Sequence, residues 1–176
     1  MSADRSAMSD FDTRDFRNAL GSFATGIAVI STRSANGELA GLTVNSFASV
    51  SLDPPLVLWS LSLYSPSLAV FQNCSHYAIN ILSAGQVELS KRFSRPSDAQ
   101  GTGYPEGKFA GLGYDQGRGG APLLRDCCAW FECRNDTRHA GGDHLIFVGL
   151  VEQYRRAEQL PLLFHGGQYC TLAPKD

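Results

Sequence analysis

A chain of 176 residues, 43% hydrophobic and 18% charged, has the size and composition of one folded unit with one core, and a disordered chain is excluded. Its 15 Lys+Arg against 17 Asp+Glu leave a net charge of -2, so there is no basic field to hold nucleic acid and no cationic cluster to mark a membrane surface. No apolar run approaches the roughly 20 residues of a membrane span.

Residues 1–10 are small and polar and lack the apolar stretch of a secretory signal, so they are expected to form a flexible tail. Residues 11–176 are expected to form a single domain. Cys74, Cys127, Cys128, Cys133 and Cys170 are odd in number and show no disulfide framework, which suits reduced thiols in the cytoplasm.

A helix opens the chain: Phe16, Ala19, Leu20 and Phe23 make an apolar stripe, with Asp12 or Thr13 as cap, and Thr25-Gly26 ends it. The β-branched run Ile27–Thr32 reads as a strand, turned by Asn36-Gly37. A long strand is expected from Glu38 to about Val50, closed by Asp53-Pro54-Pro55. Leu56–Leu61 and Tyr77–Leu82 follow as strands, with short helices expected over Ser65–Phe71 and Gln86–Phe93.

Ser94–Gly120 is irregular and reads as a functional loop or a mobile one. Strands return at Ala129–Arg134, His144–Tyr154, Leu162–Phe164 and Gln168–Leu172. Many short strands with few helices make the chain mainly β, a Greek-key barrel or sandwich with short flanking helices.

The Glu38–Val50 strand carries the clearest chemical signal. At period 2, Ala40, Leu42, Val44, Ala48, Val50 and Leu52 share one face, interrupted only by Ser46, while Gly41, Thr43, Asn45, Phe47, Ser49 and Ser51 share the other. The polar face is either half-solvated or turned to a ligand. No charge interrupts Leu39–Leu52, and neutral donors on a strand suit a planar, heteroatom-edged ligand.

Other chemistries lack support. Gly101-Thr-Gly103-Tyr-Pro-Glu106 fails the last position of a dinucleotide fingerprint. His139 and His144 lie near Cys133, Asp136 and Asp143, but without zinc-ligand spacing, so no metal is assigned. No nucleophile motif is present. Gly141-Gly-Asp-His144 and Phe164-His-Gly-Gly167 are glycine-assisted turns, each delivering a histidine to a strand end.

Thr25–Thr32, Gly41–Leu56, Gly141–His144 and Pro161–Tyr169 together resemble the flavin reductase-like family. More narrowly, they are similar to the short reductase components of two-component flavin-dependent monooxygenases, over Phe16 to Leu172. The resemblance implies a split β-barrel homodimer that binds FMN or FAD. It implies that Asn45, Ser46, Phe47, Ala48, Ser49, Ser51 and Leu52, with Thr43 before them, border the flavin ring and ribityl chain.

Ser65 and Ser67 would then hold phosphate, helped by Ser90, Lys91, Arg92 and Phe93, the free N–H groups of a helix start favouring an anion. NADH or NADPH would dock at His144, Phe164, His165, Gly166 and Gly167. The implied reaction is hydride transfer from nicotinamide C4 to flavin N5, with His144 an orienting donor and a separate oxygenase receiving the reduced flavin. Two alternatives stay open: a related flavoprotein acting on another small molecule, and a non-catalytic flavin-binding or electron-carrying barrel.

Overall fold

The computed structural model describes residues 11–95 and 107–173. The expected tail over 1–10 and the Gly101–Glu106 segment lie outside the described residues. Helix α1 (Thr13–Gly21) starts where Asp12 accepts hydrogen bonds from the Arg14 and Asp15 backbone N–H groups at 2.8 and 3.1 Å. Its apolar stripe does not reach the core. No α1 residue is buried, and Phe23 just beyond it is 77% exposed.

Strands β1 (Thr25–Gly26) and β2 (Ala28–Arg33) follow. The expected long strand is two strands, β3 (Leu39–Val44) and β4 (Ala48–Leu52), interrupted at Asn45–Phe47. The reason is topological. A seven-stranded antiparallel sheet has β3 at one edge and β4 at the other, with β2, β6 (His76–Ile81), β9 (Ala129–Gly141), β10 (His144–Arg156) and β5 (Pro55–Ser62) in that order between them. Three residues therefore carry the chain from one edge to the other, which requires the sheet to curl until its edges approach there.

Ser46 pins the crossing: its Oγ accepts from Ser60 N–H at 3.0 Å and donates to Ser60 C=O at 3.4 Å. The crossing also ends the alternation expected from sequence. Val44 is buried, but Ala48, Val50 and Leu52, expected on the same inner face, are exposed.

Each face of the central strands is covered. On one, Trp59 stacks on Phe147 with centroids 4.5 Å apart and meets Phe71 and Tyr77 edge-on. On the other lie Val29, Leu82, Leu124, Trp130 and Leu162. Two helices cap the sheet, α2 (Leu68–Asn73) and α3 (Val87–Ser94).

Inside the expected irregular loop, strand β7 (Tyr114–Gln116) pairs with β8 (Pro122–Leu124) around a 3-10 turn at Arg118–Gly120. Buried Asn80 fixes this hairpin to the sheet. It donates to Val29 C=O at 3.0 Å and to Ser31 Oγ at 2.9 Å, and accepts from Leu124 N–H at 2.8 Å. Strands β11 (Leu163–His165) and β12 (Gln168–Cys170) complete a small sheet with β1.

Candidate active site

Asn45 leaves the buried end of β3 at the point where the sheet edges approach, so its amide is exposed rather than packed. Three cavities border it, of about 570, 190 and 860 Å³. No hydrogen bond engages the Asn45 amide among the described residues.

The first cavity runs between β3 and β5, with Leu42, Thr43, Ser46, Ser60, Ser62 and Ser65 along it and His144 at its end. Its donors are neutral. Ser62 and Ser65 accept at Oγ from Tyr64 and Ser67 N–H groups, each at 3.3 Å, which leaves both hydroxyl protons to give. The third cavity lies between α1 and the Phe164–Gly167 turn, and shares Asn45 and His144 with the first. Glycines fit that turn for a conformational reason: Gly166 and Gly167 have φ of 56 and 79°.

His144 opens β10 opposite Ser62. Its Nδ1 lies 2.7 Å from Asp143 Oδ1, and this hydrogen bond with the imidazole charge holds the Asp143 carboxyl below its ordinary range. A ring that gives its Nδ1 proton to Asp143 keeps Nε2 as an acceptor when neutral, and as a donor only when protonated. Nε2 is the ring atom left for the orienting contact expected of His144.

Thr43 lines the first and second cavities, but its hydroxyl is spent on Ser90 C=O at 2.7 Å, tying β3 to α3. Ser90 is buried and meets the Tyr169 hydroxyl at 3.1 Å beside the second cavity. Phe164 borders the second and third. Thr43, Asn45, Ser46, Ser65, Ser90, His144, Phe164, Gly166 and Gly167 are thus gathered around one connected region.

The remaining expected residues lie elsewhere. Phe47 stacks on Phe131 at 5.5 Å. Ala48, Ser49 and Leu52 stand exposed on the edge strand β4, and Ser51 Oγ accepts from Asp53 N–H at 3.2 Å. Lys91 forms an exposed ion pair with Glu88 at 2.7 Å, Arg92 donates to Ala110 C=O, and Phe93 is fully buried against Phe109. His165 is exposed on β11. Ser67 borders a separate cavity of about 220 Å³ beyond Ser65. The α2 helix begins at Leu68, with no side-chain cap from Ser67.

Sequence reasoning missed Ser60 and Ser62, although their signal was present. They alternate with Trp59 and Leu61, which are buried on the other face of β5. Arg17 and Asn18 at the third cavity carried no signal, because only the packing of α1 brings them there.

Burial raises the thiols of Cys127 and Cys133 to about 12, so neither offers a thiolate near neutrality. Among the described residues, no group of three His, Cys, Asp or Glu side chains is placed to hold a metal. The donor set of Asn45, Ser60, Ser62, Ser65 and His144 instead fits an uncharged, planar ring with heteroatoms at its edge.

Comparison with known proteins agrees. Residues 20–173 match the flavin reductase like domain. The FMN reductase (NADH) SmoA of Agrobacterium fabrum is 43% identical over 90% of this chain and 85% of its own. The reductase component of the flavin-dependent trigonelline monooxygenase of Acinetobacter baylyi is 39% identical over 94% of this chain, which spans only 52% of that relative's length. The solved NADH:FAD oxidoreductase SgcE6 of Streptomyces globisporus superposes with a TM-score of 0.85 at 31% identity, over 94% of this chain and 96% of its own. With its cavities meeting at Asn45 and its neutral donors beside His144, the chain belongs to the flavin reductase like domain family.

Proposed function

We propose that this chain is an NAD(P)H:flavin oxidoreductase that supplies reduced FMN or FAD to a separate monooxygenase. One observation carries the reading: Asn45 stands where a serine-lined cavity for a planar ring meets a cavity bounded by His144 and the Phe164–Gly167 turn. Two rings can then lie face to face, the arrangement that hydride transfer needs. The flavin, when bound, supplies the two-electron acceptor chemistry.

The chain's own residues bind and orient. Asn45, Ser60, Ser62 and Ser65 hydrogen-bond the flavin edge and chain, and Thr43 and Ser90 hold β3 in place for them. His144, turned by Asp143, accepts a hydrogen bond from the nicotinamide nucleotide at Nε2, and Phe164 closes the apolar side. Hydroxyl and amide donors aimed at the ring stabilise negative charge as it develops.

The curled sheet is a split β-barrel, its edges approaching at Asn45–Phe47. The described residues within the expected 11–176 unit are read as one domain. Exposed Val50, Leu52 and Tyr64 support a homodimer, in which β4 meets a second copy. Five free cysteines fit a cytoplasmic location, and among the described residues no helix is long and apolar enough to cross a membrane.

The purified chain is expected to oxidise NADH or NADPH at a rate that rises with added FMN or FAD and saturates. A carrier would bind flavin without consuming nicotinamide, and that result would reject the enzymatic reading.

A further inference from the structure

The third cavity is larger than a nicotinamide ring needs. At about 860 Å³ it falls near the upper end of the roughly 300–1,000 Å³ of sites that take a whole drug-sized ligand. Its wall is built from the end of α1, from β1 and from the Phe164–Gly167 turn. Gly21 C=O accepts from Gly166 N–H at 2.9 Å, and Thr25 pairs with Phe164 across β1 and β11. Arg17 and Asn18 border the cavity from α1, Arg17 standing one helical turn before Gly21.

The polar side chains on this wall are unused by the fold. Thr25 Oγ1 is buried without a hydrogen-bond partner, a costly state for a hydroxyl. Arg17 and Asn18 are exposed, and among the described residues neither side chain has a hydrogen bond or ion pair.

No acid claims the Arg17 charge. The residues one turn away on α1 are Thr13, Arg14, Leu20 and Gly21. Asp12 caps the helix, and Asp143 holds His144. The last three carbonyls of α1 are occupied, Ala19, Leu20 and Gly21 C=O accepting from Ser22, Phe23 and Gly166 N–H, so they turn no free acceptor toward an anion.

We propose that Arg17, with Asn18 and the Thr25 hydroxyl on the same wall, anchors the pyrophosphate of the nicotinamide dinucleotide. The proposal rests on the nicotinamide reading of this cavity given above. A guanidinium presents paired N–H donors that match two phosphate oxygens. The pyrophosphate is one ribose away from the nicotinamide ring, whereas the 2′-phosphate of NADPH sits on the far ribose. A cation one helical turn from the glycine turn beside the ring therefore meets the pyrophosphate first. Arg17 then serves NADH and NADPH alike, and separates both from a nicotinamide that lacks phosphate.

NAD+, NADP+ and nicotinamide riboside share the ring and first ribose, and the riboside alone has no phosphate. Their dissociation constants for the whole chain with FMN present are read by calorimetry, the oxidised forms giving no turnover. The wild type is expected to hold NAD+ and NADP+ at least about tenfold more tightly than the riboside, the difference of one charge-assisted contact. Arg17→Gln should remove most of that preference and leave the riboside unchanged. Arg17→Lys should keep part of it, because a point charge replaces the fork. Arg17 lies on a helix with no buried residue, so both variants should fold.

Added salt should weaken NAD+ binding more in the wild type than in Arg17→Gln. In turnover with the reduced forms, Arg17→Gln should raise KM for NADH and NADPH by the same factor at nearly constant kcat. A wild type without the preference, an intact preference in Arg17→Gln, or equal weakening of all three ligands would overturn the proposal. So would a loss confined to NADP+, which moves Arg17 to the 2′-phosphate. A chain that binds NAD+ through Arg17 but reduces no flavin would keep the anchor and reject the enzymatic reading alone.

Discussion

Small differences at single residues decide what this chain can hold. Gly41 sits on β3 where an added Cβ would lie 2.6 Å from the Phe93 ring and 2.8 Å from that of Phe109. Gly149 of β10 is tighter, since the Tyr77 hydroxyl occupies the place its Cβ would take. Gly149→Ala is expected to lower unfolding stability by about 1–3 kcal/mol in urea titration, the usual cost of overpacking. In the proposed function Asp143 and His144 act at the same scale, but on the reaction. Losing the orienting contact in His144→Ala should raise the KM for NADH about tenfold, with a smaller change in kcat. Asp143→Asn should shift KM in the same direction by less, because an amide still orients the ring. If His144→Ala leaves both KM and the rate of flavin reduction intact, His144 has no part in docking the nicotinamide nucleotide.

Elements place these residues through contacts that leave uneven traces in the sequence. The β3–β4 crossing exists because two edge strands must be joined by Asn45–Phe47, and Ser46 secures it on Ser60. Asn80 does similar work for the β7–β8 hairpin. In Asn80→Ala the Leu124 N–H is left unpaired in a buried site, and a loss of about 1–3 kcal/mol is expected by denaturant titration. Most strands were legible from period and turn residues: Ile27–Thr32, Leu56–Leu61 and Tyr77–Leu82 fall within a residue or two of their observed bounds. The Asn45 break left only a small trace, Ser46 on the otherwise apolar face, since the period resumes after it while the pairing partners change. Buried Lys108 left none. Its neighbours Gly41 and Phe93 are distant in sequence, and nothing local distinguishes a buried lysine from a surface one.

At the scale of the whole molecule, the proposed homodimer rests on exposed apolar side chains: Leu52 is 94% exposed and Tyr64 86%. Leu52→Asp is expected to move sedimentation from twice the chain mass to once, and an unchanged wild-type monomer would remove the homodimer from the account. The same chain carries both ring-sized cavities, so it should hold donor and acceptor together without a second protein. The most direct test is an anaerobic single turnover. The protein is mixed with one equivalent of FMN or FAD and then with NADH, and the flavin absorbance band is followed. It should bleach by one flavin per NADH, and at least about tenfold more slowly in Asn45→Leu, the cost of one lost contact to the ring. A band that persists after the wild-type protein and NADH are mixed with either flavin would contradict the account.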